Sequence, residues 1–470
     1  MRKFAALFIG TLAFISYLLA EPAVLPVIET RYRLTARPWV PLKVPTQAYL
    51  DVLEGLCRFS IKHQNADGAI IDPFLNREHQ YATPYFAYAV GTLIHAGQAR
   101  DLLPHGVNAM EHATRCFGAG NQAIPDQHGN FFIAALTGAL RLYSPHVPPS
   151  TVATWRERMK KPLRDIQAEN ATNNWETYVM KGEWMRALDG LADRSQATAA
   201  IEAAWARQKQ RIAARPWLLY HDRTSDPDTL SVEAVGRGNL LALTHLGYDG
   251  PSAPAIRQAV ERATELTLML QDPSGQAPTN GRTDDHVWVD VGYQLAFEVM
   301  AERSRANPEL AGQFRRAAML SFSNIQRWRR NDGPWTGSFY VTKNHFDPGV
   351  RIGYQPASQY SNYNGSLMFH LAEAFHARES EIDERPAPTE IGGYALELDP
   401  QFASAFANAG GMQIQVNLRG QTAVTHENRW SPLGVVRFAP VAGFGHDLQV
   451  RLSFNHHPQT LPHNRMIIRN

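Results

Sequence analysis

Between Asn280 and Tyr293 the chain gathers a guanidinium (Arg282), an imidazole (His286), three carboxylates (Asp284, Asp285, Asp290) and a phenol (Tyr293). These groups together suit acid–base chemistry on an anionic substrate. A neutral imidazole takes up a proton near physiological pH, a phenol gives one up, and an arginine offsets developing negative charge. The spacing predicts a loop running into a helix. At about 100° per residue, His286, Asp290 and Tyr293 fall within roughly 60° of one another. Trp288, Val291, Leu295 and Val299 cluster on the other side. Such a polar row either faces solvent or lines a functional cavity, and the rest of the chain favours the cavity.

Similar polar loops recur. They are Asp72–Tyr81, Pro125–Asn130, Glu169–Glu176, His221–Asp228, the Asn280–His286 stretch and the long Asn331–Tyr363 segment. Each precedes an apolar stretch of helical period. Asn, Asp, Ser and Thr there are ordinary N-caps, but capping does not call for the His, Arg, Trp and Tyr that accompany them. Helix N-termini also present unpaired N–H groups and a partial positive charge, which suit anionic ligands.

Helical periodicity predicts helices starting near Thr46, Tyr81, Asp101, Asn130, Pro149, Asn174, Ser195, Thr229, Ala253, Asp285, Asn307 and Tyr360. They pair, the first of each pair charged on one face and the second carrying fewer charges, as in Tyr85–Ile94 and Phe131–Leu140. The pairs recur at roughly 50-residue intervals, within the range of repeat architectures. Six outer/inner pairs closing on themselves make an (α/α)6 toroid, with all six polar loops on one rim. After Glu381 the texture changes. Asp383–Pro388 reads as a linker, and alternating segments at Met412–Leu418, Gly434–Phe438 and Leu448–Phe454 predict antiparallel strands. The expected organisation is mainly α: a signal peptide or anchor over 1–20, a toroid over 21–380 and a small antiparallel β domain over 388–470.

Composition narrows the function classes. A net charge of +2 with only short basic runs gives no footprint for a nucleic-acid partner. Met1-Arg2-Lys3, an apolar run from Phe4 to Ala20 and then Glu21-Pro22 predict a secretory signal, with Leu18 leaving room for an uncleaved membrane anchor. The expected location is periplasmic or secreted. Two cysteines, Cys57 and Cys116, allow one disulfide or two buried thiols and rule out a Cys-based metal site. His79, His128, His286 and His345 share no metal-ligand spacing, so neither a metal nor another cofactor is expected. Neither a Gly-x-Ser-x-Gly elbow nor a phosphate loop is present.

The chain resembles the exported (α/α)-toroid enzymes that act on uronic-acid glycans, especially the heparinase II/III-like polysaccharide lyases. The likeness rests on a helical toroid followed by strands and on three signatures. These are Asn173-Asn174-Trp175, the Asp285-His286…Tyr293 helix, and Tyr354…Tyr360-Ser361-Asn362-Tyr363-Asn364-Gly365. The β region is smaller than these lyases usually carry. The resemblance implies β-elimination from a uronic-acid polysaccharide or oligosaccharide. A donor neutralises the C6 carboxylate, a base removes the C5 proton and an acid protonates O4. It implies Asn174 as the neutralising group, assisted by Arg282 or His128. It implies His286 and Tyr293 as the base–acid pair, with Tyr360 or Tyr363 as substitutes for the tyrosine. Asp290, one turn from His286, would fix the imidazole tautomer. Substrate contacts are expected from Trp175, Tyr81, His128, Asp285, Trp335, Tyr360 and Tyr363. Each has a structural alternative: Asn174 as an N-cap, Tyr293 as ring core, and Trp175, Trp335 and Tyr81 as packing. Two rival functions stand beside the lyase. One is a toroid hydrolase of the unsaturated-uronyl type using Asp284, Asp285 or Asp126, and the other is a non-catalytic glycan binder.

Overall fold

The computed structural model describes residues 39–420 and 433–440, apart from 169–171, 215, 224–226, 279, 282, 284–285 and 344–359. The apolar N-terminal stretch, the strand expected at 448–454, and Arg282, Asp284, Asp285, His345 and Tyr354 lie outside the described residues.

Twelve helices pair as outer and inner members. The outer helices are α1 (Gln47–Ser60), α3 (Leu103–Ala119), α5 (Pro149–Arg158), α7 (Arg194–Gln208), α9 (Ala253–Leu270) and α11 (Pro308–Gln326). The inner helices are α2 (Ala82–His95), α4 (Gly129–Tyr143), α6 (Asn174–Leu188), α8 (Leu230–His245), α10 (Val287–Arg303) and α12 (Tyr360–Ala377). Every start falls within two residues of the position read from sequence. Each inner helix packs on the next, and α12 packs back on α2, so the inner ring closes into the expected (α/α)6 toroid. Because every inner helix is reached through an outer one, all six run in the same direction and share one N-terminal rim.

Burial follows from composition. In α1 the buried positions Leu50, Leu53 and Cys57 recur at helical spacing, leaving Asp51 and Arg58 to solvent. In α2 every residue from Ala82 to Ile94 is buried, as a helix enclosed on all sides requires. The ring tightens where side chains are smallest. A Cβ on Gly182 of α6 would lie 2.6 Å from Ile133 of α4 and 2.9 Å from the Ala134 nitrogen, so only glycine permits this approach. The inner layer is not uniformly apolar. Arg315 of α11 reaches Glu298 and Glu302 of α10 at 3.1 Å, and Arg237 pairs with Glu233 within α8 at 2.9 Å. These charges survive burial because each has a partner.

Among the described residues four strands form an antiparallel meander in the order β1 (Gly392–Glu397), β2 (Ser404–Ala409), β3 (Met412–Asn417) and β4 (Gly434–Pro440). Leu398, Phe402 and Phe406 pack on Leu219, Leu230, Leu266 and Leu270. Arg437 of β4 donates to the carbonyls of Leu270 and Ala277, and Asn280 Nδ2 donates to the Phe402 carbonyl. The sheet thereby braces the loop that enters α10. The stretch read as a linker is held down as well, with Arg316 of α11 bonded to Glu384 at 2.9 Å and Glu390 at 2.7 Å. No helix among the described residues is long and apolar enough to cross a membrane.

Candidate active site on the inner-helix rim

Four of the six loops entering the inner helices carry unusual backbone strain among their described residues. Asn76, Gln80, Asp126, Gln127, Arg223 and Thr283 all have φ between +47° and +59° without being glycine. The left-handed region costs such residues roughly 1–2 kcal/mol each, so the surrounding contacts must over-determine these loops.

His286 sits at the N-cap of α10, 3% exposed, with its ring edge-on to Tyr363 at 4.7 Å. Its expected orienting partner is elsewhere. The Asp290 carboxylate accepts from the Ala277 nitrogen at 2.7 Å, Asn324 Nδ2 of α11 at 3.0 Å and Lys343 Nζ at 3.2 Å. The indole of Trp288 donates to His286 Nδ1 at 3.2 Å instead. An indole N–H is a donor only, so Nδ1 must be the bare nitrogen and Nε2 must carry the proton. Burial, aided by the Lys343 charge, pulls the His286 pKa down to about 3. The ring is therefore a neutral Nε2–H donor, the wrong tautomer for a base working through Nε2.

The polar row also faces the other way. Trp288, Gly292, Leu295 and Val299 point toward the ring axis, where they line small cavities. Asp290 turns to α11, while Tyr293, fully buried, packs beside Arg237 of α8 and Phe297. Burial drives the Tyr293 phenol far above its ordinary range. Asp290 and Tyr293 are thus core residues, with their polar atoms directed into the seam between helices.

A second constellation forms across the adjacent N-termini of α2 and α4. The Asp126 carboxylate accepts from His79 Nδ1 at 2.6 Å, from Arg77 Nη1 at 3.0 Å and from the Gln80 nitrogen at 3.0 Å. Burial alone would raise the Asp126 pKa, but these donors hold it below the usual carboxylate range. His128 donates from Nδ1 to the Asp126 carbonyl at 2.7 Å. A carbonyl only accepts, so neutral His128 presents a bare Nε2. Burial lowers the His128 pKa and keeps that lone pair free of a proton at neutral pH. Rings surround it: Trp175 at 4.5 Å, Phe131 at 5.5 Å and Tyr81 at 6.4 Å. The Tyr81 hydroxyl accepts from Ser366 Oγ of α12 at 3.3 Å, which leaves its own proton to give. Burial raises its pKa, so it stays a phenol.

The other expected residues divide. Asn173 caps α6 by accepting from the Trp175 nitrogen, whereas Asn174 donates to Asp222 Oδ1 at 2.9 Å and is held there. Trp175 is half-buried on the rim beside His128. Trp335 stacks on Phe74 at 5.1 Å, next to the fully buried Tyr360, whose hydroxyl meets Ser338 Oγ at 2.6 Å. Tyr363 packs in that same aromatic cluster and against His286. Arg282 and Asp285 lie outside the described residues. The sequence reading missed the pairing of His79 with Asp126. Asp126 appeared there only as a hydrolase carboxylate, and nothing in the local sequence links positions 47 residues apart. Cys57 and Cys116 are both free thiols, the first buried and the second half-buried. No cluster of three or more His, Cys, Asp or Glu side chains among the described residues could hold a metal.

No family model matches the chain, and no curated protein matches it. Solved structures similar to it include a polysaccharide lyase, at 11% identity and TM-score 0.46, over 71% of this chain and 97% of that one. A glycosyl hydrolase of family 88 from Bacteroides vulgatus is similar at 10% identity and TM-score 0.48, over 71% of this chain and 100% of that one. An inactive variant of an α-1,6-mannanase from a Salegentibacter species is similar at 13% identity and TM-score 0.45, over 69% of this chain and 98% of that one. No site residue is carried over from them.

Proposed function

We propose that the chain is a carbon–oxygen lyase that cleaves uronic-acid glycans by β-elimination, with His128 as base and Tyr81 as acid. The carrying observation is that a neutral imidazole with a bare Nε2 has its ring centre 6.4 Å from that of a protonated phenol, beside the half-buried Trp175. His128 Nε2 takes the C5 proton and the carboxylate draws the electron pair as an enolate. The C4–O4 bond then breaks, and the Tyr81 O–H gives its proton to the departing O4. Arg77, half-exposed and anchored on Asp126, offsets the enolate charge. Trp175 gives the sugar ring an apolar face. His286 works separately. Its helix α10 lies opposite α4 in the ring, about 16–20 Å away between axes at the usual spacing of 8–10 Å per neighbour. It therefore has no share in the base–acid pair. For the hydrolase alternative, Asp126 is a poor general acid, because its donors favour the ionised carboxylate.

The test is incubation with a panel of uronic-acid polysaccharides while following the ultraviolet absorbance of the unsaturated product. A rise that falls by about 10²–10⁴ in His128→Ala supports the base assignment. Near-normal turnover in His128→Ala removes it. A loss of absorbance from unsaturated oligosaccharides reports hydration, and retained binding without chemistry reports a binder.

A further inference from the structure

At the end of the inner ring opposite the rim, a cavity of about 240 Å³ opens on the toroid axis. Each inner helix contributes to it: Tyr88 from α2, Arg141 from α4, Lys181 from α6, His245 from α8, Leu295 from α10 and Glu373 from α12. Nothing in the proposed elimination uses it. We propose that this cavity is a second ligand site, which takes a single neutral sugar ring.

The chemistry of the lining selects that class. Its cations are already compensated, Lys181 by Glu373 and Arg141 by Asp189 at 2.7 Å, so an ionic ligand would meet no uncompensated countercharge. Unused hydrogen-bonding capacity remains on the floor. The Lys181 ammonium has three N–H donors and one goes to Glu373, while Glu373 Oε2 is buried without a partner. A third group joins them. Thr92 Oγ1 donates to the Tyr88 carbonyl and so must accept from His376 Nε2, which leaves His376 Nδ1 as an acceptor. An adjacent pair of hydroxyls satisfies such a floor, one accepting from the ammonium while the other donates to the carboxylate. The walls are apolar. Leu142, Leu246 and Leu295 line them, and the Tyr88 ring lies flush on Gly138, where a Cβ would come within 2.5 Å of it. Hydroxyl-reading groups on the floor and an aromatic wall match the two faces of a pyranose. The volume lies below the roughly 300 Å³ at which drug-sized pockets begin, so one ring fits and a longer glycan does not.

The test titrates the full chain with glucose, mannose and galactose, with glucuronate as the charged comparison, by calorimetry and ligand-observed NMR. Saturable binding of a neutral sugar with Kd on the order of 1 mM or below is expected, with glucuronate at least about tenfold weaker. Ala242→Phe fills the cavity from α8, and Leu246→Trp does so from its mouth. Each folded variant should bind the neutral sugar at least about tenfold more weakly, while His128→Ala on the opposite rim binds it as wild type does. The proposal is overturned if no neutral sugar binds, if glucuronate binds better, or if a folded variant of either kind binds undiminished. Because His128→Ala separates the two ends of the ring, failure here is distinct from failure of the lyase assignment.

Discussion

Replacing Trp288 with Phe tests the tautomer of His286 directly. The indole donates to His286 Nδ1 at 3.2 Å within a site where His286 is 3% exposed. A neutral hydrogen bond of this kind is worth about 1 kcal/mol net, and a buried donor left unsatisfied costs roughly 1–3 kcal/mol. The opposite tautomer would lose the bond and set two N–H groups against each other. A preference of about 2 kcal/mol for the Nε2–H form follows, or about thirtyfold at 1.4 kcal/mol per decade. Trp288→Phe keeps an aromatic ring in place and removes the donor, which should bring the two tautomers to within about threefold. Long-range proton–nitrogen NMR on protein labelled at histidine reads this at neutral pH, where burial keeps the ring uncharged. The wild type should show an unprotonated Nδ1 and a protonated Nε2, assigned by comparison with His286→Gln. A bare Nε2 in the wild type, or an unchanged spectrum in Trp288→Phe, would refute the reasoning.

Acid should destabilise the fold through its neutral histidines. Burial lowers the pKa of His286 and His370 to about 3 and of His376 to about 4. The native state then binds fewer protons than the unfolded chain, so stability is full above about pH 6.5 and is lost as pH falls toward 3–4. From pH 6.5 to 4.5 this costs about 2 kcal/mol per histidine, so the drop in urea stability over that range should be that much smaller in His370→Leu. An equal drop in both proteins would discard the explanation. Asp290→Ala strands the buried Lys343 ammonium and should cost about 3–5 kcal/mol, much of it restored by adding Lys343→Met. A double variant no better than the single one would count against that pairing. Tyr293→Phe should leave turnover within about twofold, since its hydroxyl lies in the core, whereas a hundredfold loss would return Tyr293 to the chemistry. Iodoacetamide should modify Cys116 in the native protein and reach Cys57, 0% exposed with a thiol pushed up by burial, only after unfolding.

The architecture was legible because its signals are local. Caps and apolar period place a helix start within a turn, and the alternation of charged with apolar helices tells outer from inner. The strand at Met412–Asn417 announced itself by alternation, Met-Gln-Ile-Gln-Val-Asn. Its neighbour Ser404–Ala409 reads Ser-Ala-Phe-Ala-Asn-Ala, with no β-branched residue, and was missed because pairing on both sides makes it a strand.

The stretch from Asn280 to Tyr293 marks where local reading stops. Periodicity grouped Asp290 and Tyr293, because residues three apart share a face, whereas His286 stands in the extended N-cap and meets Tyr363 instead. It could not say what that face would meet. Only the ring turned it toward α8 and α11, gave Asp290 to Asn324 and Lys343, and left the axis to Trp288 and Leu295. The rim was similar. The sequence alone determined that six polar loops share one end of a toroid, since chain direction and helix pairing force it. That His79 meets Asp126 across 47 residues, and that His128 keeps a bare Nε2 while His286 holds its proton there, was decided by tertiary structure. A tautomer depends on the one atom facing the other ring nitrogen, and no spacing along the chain encodes which atom that will be.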